Sequence, residues 1–178
     1  GTKPESCYDD ITKIAASTCN VPISLMTLVD KDKQWFKSKV GLEINETKRD
    51  WSFCTHAIQE NSPLIIQDAF QDERFINNPL VTGDPKIRFY AGFPLKNRDG
   101  NKLGTLCVID RKPGNLSPKQ FNVMELLSKQ IVSFLELRKK SLNLLEALSN
   151  LHKQEGILSV LSLIHISEHT ILLAISYY

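Results

Sequence analysis

The sequence predicts an α+β domain, with β-hairpins at its centre and a helix at each end. Three observations carry this. Residues 89–96 (FYAGFPLK) and 102–109 (KLGTLCVI) are β-rich runs joined by the polar turn N-R-D-G-N, which is the pattern of an antiparallel hairpin. Residues 23–30 (ISLMTLVD) and 34–41 (QWFKSKVG) form a second such pair across a short K-D-K turn. From residue 119 to about 154 there is neither Gly nor Pro, as one long helix requires.

The other elements follow in order. Residues 5–19 place Ile11, Ile14 and Ala15 at helical spacing, and S-T-C-N ends the run. Residues 42–50 are mostly polar and read as a loop. Residues 51–59 read as a short helix with Ser52 as N-cap, because Phe53, Ala57 and Ile58 follow a hydroxyl that can accept from the first free amides. Residues 63–68 (PLIIQD) are a short buried strand, and residues 72–75 one helical turn capped by Asp72. Asn78-Pro79, Gly83 and Asp84-Pro85 mark residues 77–86 as loop. Ser117 and Pro118 supply an N-cap and a first-turn proline for the long helix.

That helix carries two apolar strips. Val123, Leu127, Phe134, Leu137, Leu144, Leu148 and Leu151 lie on a heptad seam interrupted by Gln130 and Ser141. Met124, Ile131, Leu135, Leu142 and Leu145 form a second strip beside it. At 1.5 Å per residue such a helix spans roughly 54 Å, more than a domain of this size can cover. The sheet can bury one strip. A partner helix is expected to bury the other, through Leu137, Leu144, Leu148 and Leu151, which makes the chain a homodimer; the alternative is one broad stripe packed within a monomer.

A chain of 178 residues suits one domain with an appendage. The divisions expected are a domain over residues 1–140 (core about 5–135), the exit helix over 119–154, coiled-coil-like beyond about 137, and an unassigned tail over 155–178. The tail changes character: residues 156–178 contain no Lys or Arg, and Glu168 is their only charge. It reads as a truncated following domain or as non-native sequence, and Gly1 as the mark of a fragment or tag remnant. His165, Glu168 and His169 break its apolar run short of a membrane span, so no membrane partner is expected. Net charge is +2 and the longest basic run is residues 138–140, too little for a nucleic-acid stripe. Cys7, Cys19, Cys54 and Cys107 show no C-x-x-C or other metal spacing, so neither a metal nor a cofactor is expected. With no apolar signal core at the amino terminus, the thiols are read as reduced and the compartment as cytoplasmic.

The motifs F-C-T-H-A-I (53–58), D-E-R-F (72–75), N-P-L-V (78–81), I-R-F-Y-A-G-F-P-L (87–95) and G-T-L-C-V-I-D (104–110), in this order, resemble a GAF domain of the kind found in bacterial histidine kinases and diguanylate cyclases. The resemblance covers roughly residues 5–140. It implies an antiparallel sheet of five or six strands, terminal helices packed on one face, and a ligand pocket under the loops of the other. It further implies a sensory and dimerisation role in a signal-transduction protein, with no catalytic residue in this chain. The ligand is not named by the sequence. Cys54 is followed by Thr55 rather than His, unlike bilin-binding relatives, and D-E-R-F departs from the N-K-F-D-E signature of cyclic-nucleotide binders. Neither His152 nor His165 has the context of a kinase phosphoacceptor.

The pocket candidates are Phe53, Cys54, His56, Asp68, Asp72, Arg74, Phe75, Arg88 and Tyr90. The charged members could meet an anionic ligand. The preferred reading is that Arg74 or Arg88 pairs with Asp68 or Asp72 and pins the loop. Cys54 sits at a predicted helix start, where a thiol is acidified, but its i, i+2 spacing from His56 turns the two side chains apart. Gly92 and Gly104 mark either close approaches or bulges. Two other functions fit the same residues. One is a thiol-based redox enzyme of the free methionine sulfoxide reductase type, acting through Cys54 or Cys107. The other is a ligand-free dimerisation module whose pocket is filled by Phe53, Phe75 and Tyr90.

Overall fold

The computed structural model describes residues 5–30 and 32–154; the expectations for Gly1, for the first turn at Lys31 and for the tail 155–178 lie outside them. The described chain forms α1 (Ser6–Cys19), β1 (Ile23–Val29), β2 (Lys33–Val40), β3 (Glu46–Lys48), α2 (Phe53–Gln59), β4 (Leu64–Ile66), α3 (Pro79–Thr82), β5 (Phe89–Lys96), β6 (Lys102–Asp110) and α4 (Pro118–Gln154), with 3-10 turns at Arg49–Trp51 and Ala69–Gln71. The strands make one six-stranded sheet in the order β3-β2-β1-β6-β5-β4. All its pairings are antiparallel.

Both faces of the central strands are covered, which is why β1 and β6 read as nearly unbroken apolar runs. Met26, Phe89, Ala91, Phe93, Leu95, Leu106 and Val108 pack with Tyr8, Ile11, Ala15 and Cys19 of α1 and with Met124 and Ile131 of α4. The opposite face carries Leu25, Tyr90, Cys107 and Ile109, under α2 and the loops around Phe75 and Val81. In α1 the inward stripe is Tyr8, Ile11, Thr12, Ala15, Ala16 and Cys19, so Ile14, expected in it, is instead 49% exposed. Asn20 closes the helix in the left-handed region that Asn tolerates.

Two segments expected as loop contain structure. Residues 42–50 hold β3, whose Glu46, Thr47 and Lys48 pair with Trp35, Gln34 and Lys33. Its polarity hid it: a three-residue charged edge strand guards the sheet against further pairing and carries no alternating apolar signal. Residues 77–86 hold α3, where Asn78 accepts from Leu80 N at 2.9 Å and Pro79 takes the first turn. The Asn-Pro pair read as a breaker is a cap and a starter.

Residues 72–75, expected as one helical turn, are part of a run of turns in which Phe75 N and Ile76 N donate to the Asp72 carbonyl, and the strand expected over 63–68 is Leu64–Ile66. The second hairpin and the start of the long helix form as expected. The second hairpin turns through Asn97–Asn101 with Gly100 at φ +84°, a conformation only glycine adopts freely. Ser117 and Gln120 form a capping box at the start of α4, Gln120 N donating to Ser117 Oγ at 3.3 Å and Ser117 N to Gln120 Oε1 at 2.9 Å. Up to Leu135 the helix belongs to the compact unit that contains the sheet. There the second strip is the one that buries, Met124 and Ile131 being fully enclosed, while Leu127 and Phe134 of the seam are half-buried. The second unit begins at Glu136, and in it Leu137, Leu142, Leu144, Leu145, Leu148 and Leu151 are all exposed. No described helix is long and apolar enough to cross a membrane.

Candidate functional site

Period-two alternation places Leu25 and Thr27 of β1, Gln34 and Phe36 of β2, Tyr90 of β5, and Thr105, Cys107 and Ile109 of β6 on the face opposite the terminal helices. The α2 helix lies over this face because its apolar side, Phe53, Cys54 and Ala57, must be buried somewhere. Ser52 starts it, accepting from Thr55 N at 3.1 Å. The same hydroxyl donates to Gln34 Oε1, so the cap of α2 is tied to β2.

These constraints converge on Cys54. Gln34 Nε2 donates to its sulfur at 3.3 Å, and Tyr90 Oη donates at 3.3 Å. Cys107 Sγ lies 3.9 Å away. Beneath them Thr27 and Thr105 share a hydroxyl hydrogen bond of 3.0 Å. Burial alone would push the Cys54 thiol up, but hydrogen bonds from Cys107, Thr105, Tyr90 and Thr27 outweigh it and bring the thiol down to about 6. Cys107 moves the other way, well above the ordinary thiol value, because its hydrogen bond to Cys54 and its burial both favour the protonated form. Tyr90 is raised well above the ordinary phenol by burial and by the neighbouring sulfurs, so it remains a donor.

Gly92 makes the Tyr90 contact feasible. A Cβ there would collide with the Tyr90 ring and hydroxyl, and one at Gly104 would strike the Thr27 carbonyl. Both glycines therefore serve close approach. Gly92 sits in a regular stretch of the β5–β6 ladder, whereas Gly104 also borders an irregularity, Leu95 pairing with Gly104 and Lys96 with Lys102.

Above the thiol is a largely apolar cavity of about 30 Å³, walled by Phe36, Ile44, Leu80 and Ile87. Thr47 of β3 also lines it, and its buried Oγ1 has no hydrogen-bond partner. Of the residues singled out from sequence, Phe53, Cys54 and Tyr90 line this cavity. Phe75 stacks on Phe53 with centroids 4.0 Å apart, and the His56 ring meets the Phe75 edge at 4.9 Å. The pKa of His56 is lowered by burial, followed by the Arg74 charge.

The four charged candidates do not line the cavity; they pair with one another. Arg88 grips Asp68 with two hydrogen bonds of 2.7 Å, and Arg74 grips Asp72 at 2.9 and 2.6 Å. The guanidiniums hold both carboxyls below the usual range. Arg88 also covers the Phe70 ring and Arg74 the Phe75 ring, so the pairs pin the loop that roofs the site. Sequence reasoning missed Gln34, Ser52 as more than a cap, Thr47 and the Thr27–Thr105 pair. The one available signal was polar residues at inward positions of strands, such as Gln34 two residues before Phe36. No group of residues suited to a metal occurs among the described residues.

The comparisons with known proteins agree with this architecture. A cyclic di-GMP phosphodiesterase of Pseudomonas aeruginosa is 39% identical over 130 residues, 72% of this chain and 22% of that protein, so the chain spans about a fifth of that relative's length. The GAF domain of an Acinetobacter phosphoenolpyruvate-protein phosphotransferase superposes with a TM-score of 0.61 at 18% identity, covering 76% of this chain and 83% of that one. A free methionine-R-sulfoxide reductase from Neisseria meningitidis, solved with its substrate, also gives 0.61, at 14% identity and 75% and 78% coverage. At such identities the two structures testify to the fold alone. The family model described as GAF domain matches residues 3–135, the whole of the sheet with α1 and the first half of α4, and the chain belongs to the GAF family.

Proposed function

We propose that this GAF sensory domain takes a small ligand beneath its loop face and acts as a homodimer within a larger signal-transduction protein. The output partner would be a histidine kinase, a diguanylate cyclase or, as in the relative from P. aeruginosa, a cyclic di-GMP phosphodiesterase. The chain itself would catalyse no reaction on that ligand. The observation that carries the reading is Thr47 Oγ1, a buried hydroxyl with no partner facing an apolar cavity. An apolar enclosure with one free polar group suits a small molecule that is mostly apolar and polar at one end.

A cavity of about 30 Å³ accepts little more than water. A larger ligand would bind the arrangement in which Ile44 and Leu80 have moved aside, and would favour it by differential affinity. Gln34 and Ser52 would carry the change to β2 and α2, and the sheet would pass it to Met124 and Ile131 of α4. The exposed leucines at 137, 144, 148 and 151 keep heptad spacing, which supports pairing of two such helices. The test is native mass spectrometry of reduced protein purified from cells. A dimer carrying a mass excess that denaturation removes, and that Thr47→Val abolishes, is the expected result. A bare dimer that no component of a cell extract stabilises would overturn ligand sensing in favour of a module plugged by Phe53, Phe75 and Tyr90, and a monomer would overturn the assembly.

A further inference from the structure

We propose that Cys54 and Cys107 form a disulfide, reducible by an external thiol, when hydrogen peroxide enters the cavity, so that this pocket is also a site of thiol oxidation. The two sulfurs are neighbours across the α2–β6 contact at 3.9 Å, and they are the only cysteines of the chain on this face of the sheet. Cys19 is buried on the other side with α1, and Cys7 packs there as well. Closing to the ~2.05 Å of a disulfide asks for an approach of about 2 Å. Rotation of the two side chains, with a shift of α2 toward β6, would supply it.

Access and activation are both present. Cys54 lines the cavity, whose volume of about 30 Å³ exceeds the ~10–15 Å³ needed for one water and so suits a peroxide molecule of similar bulk. Buried thiols are ordinarily inert because nothing stabilises the thiolate. Here Tyr90 and Gln34 both donate to the Cys54 sulfur, so it is the better nucleophile, with Cys107 placed to resolve.

The Cys54 thiolate attacks one peroxide oxygen, the O–O bond breaks, and hydroxide leaves and takes up a proton as water. Cys54 is then a sulfenic acid. The Cys107 sulfur attacks Cys54 Sγ, the S–O bond breaks, and the second hydroxide leaves as water with the Cys107 proton. Two thiols lose two electrons in all, and the peroxide gains two.

The consequence would be structural. A disulfide sulfur is a poorer acceptor than a thiolate, so Tyr90 and Gln34 lose their partner. Gln34 is bonded to Ser52, and Ser52 caps α2, so oxidation loosens the connection between β2 and the start of that helix.

The experiment uses the full chain with Cys7→Ser and Cys19→Ser, exposed to hydrogen peroxide under native conditions, then alkylated, digested and weighed. Expected is one cross-linked peptide pair joining Cys54 to Cys107, reversed by dithiothreitol. In the Cys107→Ala variant oxidation should stop at a Cys54 sulfenic acid that dimedone traps. Unlinked cysteines at peroxide doses that oxidise free thiol in solution, or a cross-link that forms only in denaturant, would overturn the proposal. Should Cys107→Ala fail to fold, the cross-link in the parent chain still decides. The readout is on sulfur, so it stands or falls independently of whether a ligand binds beside Thr47.

Discussion

The Tyr90 ring lies across the α-carbon of Gly92, its neighbour on the same face of β5, and its hydroxyl ends 3.3 Å from Cys54 Sγ. A glycine inside a strand weakens it unless something must come close; here the phenol does.

Gly92→Ala should therefore destabilise the domain by about 1–3 kcal/mol, the cost of forcing a methyl into a filled site. Urea unfolding measures it. In a Tyr90→Leu background the cost should shrink, since the ring is the obstacle, and strictly additive costs would show that the two residues do not interact.

Tyr90→Phe leaves the ring and removes one donor from Cys54. The folded thiol lies at about 6, below its ordinary 9.0. A depressed pKa stabilises the fold above the unfolded value, and that contribution is lost as pH falls through about 6. Without the phenol the folded value should rise, and the gain at neutral and alkaline pH should be smaller. The rate of Cys54 alkylation by iodoacetamide against pH reports it: the midpoint should move up in Tyr90→Phe, and an unmoved midpoint would remove Tyr90 from the thiolate's support.

The two apolar strips of α4 should respond differently to mutation. Ile131→Ala opens a cavity against the sheet and should cost about 2–5 kcal/mol. Leu144→Lys with Leu148→Lys touches exposed positions, should leave the unfolding midpoint of the sheet domain in place, and should convert the proposed dimer to monomer by light scattering. An unchanged mass would sink the coiled-coil assignment.

How much of this could be read from the residues depends on how local each signal is. The hairpin at 89–110 and the start of α4 were legible because a polar turn between two β-rich runs, and an N-cap serine followed by proline, are short-range patterns. Strand β3 was not, because it exists only as the polar partner of β2. The candidate site was half legible. Phe53, Cys54, Phe75 and Tyr90 stand in apolar segments that had to be buried, and the ion pairs of Arg74 and Arg88 followed from nearby opposite charges. The convergence of Gln34 and Ser52 on Cys54 depends on β2 and α2 meeting across the sheet, and no spacing in the sequence encodes that meeting. The same holds for Cys107, which sits 53 residues from Cys54 and is brought to it by β6.

The roof of the site should weaken in acid. Arg88 holds the Asp68 carboxyl, and Arg74 the Asp72 carboxyl, below the ordinary 3.8. Both groups are depressed in the fold, so their contribution is fully present above the ordinary carboxylate value and disappears as pH falls through the lower folded values. Asp68→Asn with Asp72→Asn should therefore lower stability at neutral pH and flatten its fall below the ordinary carboxylate value. Both pairs lie near solvent, so the loss should be small and should shrink further in high salt, where surface charges are screened. Loop opening, followed by hydrogen exchange of the amides at residues 69–82, is the sharper readout. Those amides should exchange faster in the double variant at neutral pH and at equal rates in both proteins once the carboxyls are protonated. Equal exchange at neutral pH would mean that the loop is held by the Phe53–Phe75 stack alone.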